Sequence, residues 1–75
     1  MSSVNLDFLF ISNNIKYLRK SRNLTQETFG KSIGIKRQDV HAIEIGIRKP
    51  RLTVLYRIAV EYDVSLDWLI IKKKE

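Results

Sequence analysis

Arg37 and Gln38 stand side by side in this 75-residue chain, and each carries a two-point hydrogen-bonding group. An arginine fork matches guanine O6 and N7, and a glutamine amide matches adenine N6 and N7. The chemistry they suggest is recognition of base edges. Lys36, His41 and Ala42 surround them. A lysine suits a phosphate oxygen, and an alanine offers only a methyl-to-methyl contact with thymine. His41, read without that context, is a solvated polar residue on an exposed helix face. Other chemistries fit poorly. With no cysteine and a single histidine, the chain has no obvious metal-ligand set, no thiol nucleophile and no disulfide. Glu61, Asp63 and Asp67 read as solvated surface and capping rather than as an acid–base pair. No nucleophile and base stand out, so an enzyme, a cofactor and a small-molecule ligand are not expected.

Base-edge recognition requires its side chains on a rigid rod, and the segment Leu24 to Gly46 supplies one. Leu24, Phe29 and Ile33 fall near one face of a helix. Val40, Ile43 and Ile47 repeat at spacings of three and four on the far side of Gly34. Between them, Ile33-Gly34-Ile35 suits a helix that ends on a left-handed glycine and hands its flanking apolar residues to the core. Two short amphipathic helices joined by a tight turn form a helix-turn-helix. Lys36, Arg37, Gln38, His41 and Ala42 occupy the end and the face that such a second helix presents to a DNA groove.

The flanking sequence predicts three further helices and no strand. Ser12, Asn13 and Asn14 are capping residue types ahead of a first helix near residues 13–22, with Ile15 and Leu18 inward and Asn23 closing it. Thr25 caps a second helix of about residues 25–32, although Thr28 rather than Glu or Gln leaves the reciprocal capping box incomplete. The third helix spans about 36–44. Gly46 to Pro50 must be a loop, since proline disfavours helix at Lys49. A fourth helix of about 51–62 buries Leu55, Ile58, Ala59 and Tyr62. Ser65 caps a short fifth helix with Leu66, Leu69 and Ile70 as its apolar face. The expected organisation is an apolar N-terminal extension (1–11), one all-α domain (12–71) and a basic tail (72–75) in which Lys72 to Lys74 fray.

Composition bounds the function. The chain is 44% hydrophobic, which is enough for a folded core, and carries a formal net charge of +6 with a pI near 9.9. From Lys16 to Arg51, ten basic residues stand against three acidic ones, a local balance of +7. A polyanion is the natural counterpart. The longest apolar runs, Phe8 to Ile11 and Trp68 to Ile71, fall far short of the roughly 20 residues that span a bilayer. No secretory signal is visible, and the expected location is the cytoplasm.

Linked motifs then carry a resemblance. Ile15-x-x-Leu18-Arg19, Leu24-Thr25-Gln26-Glu27, Gly34-Ile35, Glu44-x-Gly46, Pro50 and Val64-Ser65-Leu66-Asp67-Trp68-Leu69 occur in order. From Ile15 to Ile70 the chain resembles the lambda-repressor and Cro type of bacterial and phage transcription regulators, the XRE family. The resemblance implies a five-helix lambda-repressor-like domain binding a double-stranded DNA operator. It assigns Arg37, Gln38 and Ala42 to base edges, with Lys36 and His41 flanking them. Gln26 bonds a phosphate and braces the recognition helix, and Thr25 and Gln26 offer backbone amides to phosphate. Arg48, Lys49 and Arg51 add backbone contacts, and Arg19 pairs with Glu44 in a partly buried ion pair. Departures are visible. Lys36 stands where the family prefers Ser or Thr as a cap and has no acceptor to offer. Phe29-Gly30 replaces Leu-Ala, which points to a close helix crossing at Gly30. Asp39 has no assigned role.

The resemblance also implies a homodimer, since family members read palindromes with two recognition helices about 34 Å apart. Phe8, Phe10, Trp68, Leu69 and Ile71 are the expected interface, although the N-terminal apolar residues can equally pack on the fifth helix of their own chain. The expected role is a transcriptional regulator, most often a repressor. The alternative is a protein-interaction module that uses the same face, favoured by Ala42 and Asp39.

Overall fold

The computed structural model describes residues 9–71, which form five helices: α1 (Leu9–Ser21), α2 (Gln26–Ile33), α3 (Arg37–Glu44), α4 (Leu52–Tyr62) and α5 (Leu66–Ile70). No strand occurs among the described residues. Every helix contributes to one core. Ile15 and Leu18 of α1 meet Phe29 and Ile33 of α2 and Val40 and Ile43 of α3. Val54, Leu55, Ile58 and Tyr62 of α4 and Leu69 of α5 complete it. Phe29 stacks on Tyr62 at 5.2 Å between ring centroids, locking α2 to α4. The Tyr62 hydroxyl is hydrogen-bonded to Ser32, so burying this ring strands no polar atom.

The turn between α2 and α3 follows from Gly34. Its φ of +81° is left-handed, and its N–H and that of Ile35 return to the last carbonyls of α2; Ile35 N donates to Gly30 O at 2.9 Å. Gly30 answers to space rather than backbone. A Cβ there would lie 2.6 Å from the Ile35 carbonyl oxygen and 3.1 Å from Val40 Cγ2. Glycine inside a helix costs about 1 kcal/mol relative to alanine, and here it permits the close approach that seats α3 on α2.

Capping explains the other ends. Thr25 Oγ1 accepts from Thr28 N at 3.1 Å and Ser65 Oγ accepts from Trp68 N at 2.9 Å. Asn23 and Asp63 adopt left-handed φ values of 58° and 55° after α1 and α4. Lys36 precedes α3 with no side-chain capping bond, as a residue without an acceptor must.

Four local expectations differ from the structure. The first helix begins at Leu9, so Ser12, Asn13 and Asn14 lie inside it rather than at its cap, and the division expected after residue 11 falls within α1. Asn14 is buried, and its Nδ2 donates to the carbonyls of Leu69 at 2.9 Å and of Trp68 and Ile71 at 3.3 Å each. It caps the C-terminal end of α5 instead of the N-terminal end of α1. Ile47 is 76% exposed, because the chain leaves the helix after Glu44 and the three-four spacing no longer points inward. Ile70 is also exposed, and Trp68 packs against the core in its place. Leu69, expected in a subunit interface, is fully buried in its own chain at 0% exposure and has no surface to offer a partner.

Candidate nucleic-acid interface

The outward face of α3 is set by its buried side. Val40, Ile43 and Glu44 point inward, so at 100° per residue Gln38, His41, Ala42 and Ile45 are directed outward, with Arg37 at the edge. Arg37, Gln38 and His41 are exposed and Ala42 is half-buried. The Ala42 carbonyl is occupied by the N–H groups of Ile47 and Arg48 at 3.0 and 3.1 Å, which folds the following loop back over the end of the helix. Ile45 was missed from the sequence. It caps α3, is 49% exposed, and stands four residues after His41 and seven after Gln38. That spacing was the available signal.

What holds α3 in place is a buried carboxylate. Arg19 Nε donates to Glu44 Oε2 at 2.7 Å and Arg19 Nη2 to Oε1 at 3.0 Å, a two-pronged pair with the Glu44 side chain 1% exposed. Gln26 Nε2 donates to the same Oε1 at 3.0 Å, and Arg19 Nη1 to the Leu24 carbonyl at 2.7 Å. One carboxylate thus ties together α1, α2 and α3. Gln26, at the start of α2, is half-buried and its amide is directed into this network.

The remaining cations divide into two groups. Several are spent on the fold. Arg22 donates to the Tyr62 carbonyl at 3.0 Å and lies 5.6 Å from the centre of its ring, at the C-terminal end of α4. Arg57 donates to the Ile33 carbonyl at 3.3 Å, at the end of α2. Positive charge at a helix C-terminus complements its dipole. Lys31 lies 3.8 Å from Glu27. Of the residues behind the +7 balance, which stops at Arg51, Arg22 is thus committed to a helix end rather than to a partner. Lys16 and Lys20 are exposed on α1, and the others gather around α3. Lys36 stands at its N-terminus, and Arg48, Lys49 and Arg51 follow its C-terminal end, all exposed. Pro50 is buried between them and anchors the loop. Arg48 is paired with Asp39, Nη1 to Oδ1 at 3.3 Å. The Thr25 hydroxyl serves as the cap of α2, which leaves the helix N-terminus itself as the anion-attracting feature there.

A second surface lies on α1 and α5. Tyr17 and Ile71 are exposed, Phe10 and Trp68 are half-buried, and the Tyr17 and Trp68 rings lie 6.2 Å apart. Phe8, also expected there, lies outside the described residues, as does the tail 72–75. Among the described residues no cluster of His, Cys, Asp or Glu is suited to a metal, and no helix is long and apolar enough to cross a membrane.

A five-helix domain whose second and third helices meet at a left-handed glycine has a counterpart among known proteins: a helix-turn-helix family model matches residues 15–69. The chain belongs to this XRE-type helix-turn-helix family. Among curated relatives, an HTH-type transcriptional regulator of Methanocaldococcus jannaschii is 38% identical over 61 residues, covering 81% of this chain and 92% of the relative. YqaE of Bacillus subtilis, also an HTH-type transcriptional regulator, is 41% identical over 59 residues, covering 79% of this chain and 51% of its own length. An HTH-type transcriptional regulator of Archaeoglobus fulgidus is 31% identical over 61 residues, covering 81% and 86%. This chain therefore spans nearly all of the archaeal relatives and about half of the Bacillus one. No solved structure gives a significant match. The family match runs from the first core residue of α1 to the last of α5, so it takes in both partners of the Arg19–Glu44 pair.

Proposed function

We propose that this helix-turn-helix regulator binds double-stranded DNA in a sequence-dependent manner and controls transcription, acting as a homodimeric repressor on a palindromic operator in the cytoplasm. The observation that carries the reading is the seating of α3: Glu44 is tied to α1 and α2, while Arg37, Gln38 and His41 stay exposed. In this reading Arg37 and Gln38 read base edges in the major groove, His41 flanks them, and Ala42 together with Ile45 meets thymine methyls. Lys36, Lys49, Arg51 and the α2 N-terminus around Thr25 and Gln26 hold phosphates. Phe10, Trp68 and Ile71 form the subunit contact, joined by Phe8.

Selection of bound sites from a random duplex pool tests all of this together. A recovered motif with twofold symmetry and half-sites one turn apart supports the homodimer. A single asymmetric half-site refutes it, and no enrichment at all refutes sequence-dependent binding. The exposed Ile45 and Ile47 favour a second reading, in which the same face docks on another protein. Salt separates the two, since a binder neutralising 6 to 10 phosphates loses on the order of 10³ to 10⁵ in affinity between 50 and 200 mM salt.

A further inference from the structure

Between the first turn of α3 and the start of α4 lies an open cleft of about 560 Å³ whose polar lining includes Arg48, Lys49, Arg51, Thr53 and Arg57. One carboxylate lines it among the described residues, that of Asp39. Asp39 sits on α3 itself, one residue after Gln38, where it is half-buried and lines the cleft. Its side chain is 34% exposed and meets Arg48 Nη1 at 3.3 Å, while the Arg48 side chain remains 59% exposed. An exposed pair of this kind adds little to folding. Its effect falls on whatever anion approaches the cleft.

We propose that Asp39 is an internal competitor for the phosphate backbone: its carboxylate occupies Arg48, so that Arg48 contributes to DNA binding only when this pair is broken. The inference rests on the DNA-binding reading and gives Arg48, which the family resemblance assigns to the DNA backbone, a conditional place in it. The chemistry is one of exchange. A phosphate oxygen and the Asp39 carboxylate are both acceptors for the same guanidinium, and the loop holds that guanidinium beside the carboxylate before DNA arrives. Arg48 N is fixed to the Ala42 carbonyl at 3.1 Å, so the side chain departs from α3's own C-terminal end and reaches back to its first turn. Neutralising a phosphate through Arg48 would then release no net pairing, and the salt dependence of binding would lack the share that one arginine supplies.

Isosteric replacement isolates the effect. Asp39→Asn keeps the shape and removes the competing charge. On a 20-base-pair random-sequence duplex, the slope of log affinity against log salt is expected to steepen by about 0.9 for each bound chain, one additional neutralised phosphate apiece, and so by about 1.8 for a bound dimer. The variant's advantage over the unmodified protein then shrinks between 50 and 200 mM salt by about 3- to 4-fold per bound chain, or about 12-fold for a bound dimer. Arg48→Ala alone is expected to change duplex affinity less than about twofold, whereas in the Asp39→Asn background the same replacement abolishes the gain. The full cycle separates this from a general charge effect, which would survive the loss of Arg48. Thermal unfolding of each variant by circular dichroism establishes that the compared proteins are folded. If the unmodified protein binds the duplex but Asp39→Asn leaves the slope unchanged, or if Arg48→Ala weakens binding equally in both backgrounds, the competitor role is refuted and DNA binding stands. If neither protein binds any duplex at 50 mM salt, both readings fall together.

Discussion

Replacing Arg19 with alanine removes three hydrogen bonds at once, two to Glu44 and one to the Leu24 carbonyl. The greater harm is to what remains. Glu44, 1% exposed at its side chain, keeps only the Gln26 amide as a donor among the contacts described above. Stranding one charge of a buried pair destabilises by about 3–5 kcal/mol. A 75-residue domain, at about 0.05–0.15 kcal/mol per residue, holds roughly 4–11 kcal/mol in total. The variant therefore loses a large fraction of its stability. At about 4–8 °C per kcal/mol for a domain of this size, Tm falls by roughly 12 °C or more. Circular dichroism at 222 nm during heating and during urea titration measures it. The mechanism makes a second demand: replacing both partners, Arg19→Met with Glu44→Leu, removes the stranded charge and restores most of the lost stability. A Tm for Arg19→Ala within about 2 °C of the original would refute the reasoning, and so would a double variant no better than the single one.

Further outcomes are expected. Asn14→Ala frees three carbonyls at the end of α5, costs about 1–3 kcal/mol and shifts Trp68 fluorescence to the red as α5 loosens; an unchanged emission maximum counts against that cap. Gly30→Ala presses a methyl group against the Ile35 carbonyl oxygen and destabilises by about 1–3 kcal/mol despite its better helix propensity, whereas equal or higher urea resistance would show that the α2–α3 crossing can yield. Arg37→Ala is expected to relax preference at one base pair by about 1–3 kcal/mol, while Lys49→Ala weakens all duplexes alike; competition binding with single-base variants of a selected site distinguishes them. Sedimentation at micromolar concentration is expected to give a dimer of the 8.8 kDa chain, and a purely monomeric profile removes the homodimer.

Local chemistry was legible in the sequence and long-range pairing was not. Gly34, Thr25, Asn23 and Ser65 act through their own backbone or through atoms three residues away, so their types and positions predicted the ends of α1 and α2 and the start of α5. Gly30 was readable because a glycine inside a helix requires a reason, and the reason is a neighbour across the turn. The pairing of Arg19 with Glu44 came only through family resemblance, since nothing in the spacing of residues 25 apart predicts contact. Ser12 and Asn14 misled. Their types suit a helix cap, and the acceptors that draw Asn14 inward lie 54 to 57 residues along the chain. Counting charges misled in the same way, because Arg22, one of the ten cations between Lys16 and Arg51, is turned toward a helix end that exists only once the chain has folded. Asp39 had no assignable role until Arg48 was placed beside it.

The shared carboxylate of Glu44 has an evolutionary implication. Because the angle of the third helix is dictated from its inner side by Arg19, Gln26 and Glu44, substitutions at positions 37, 38, 41 and 45 are expected to change what the proposed DNA-binding face prefers without re-aligning it. Under the proposed function, new binding preferences become accessible one side chain at a time, and a transplant of those four residues from a relative is expected to carry that relative's preference with it.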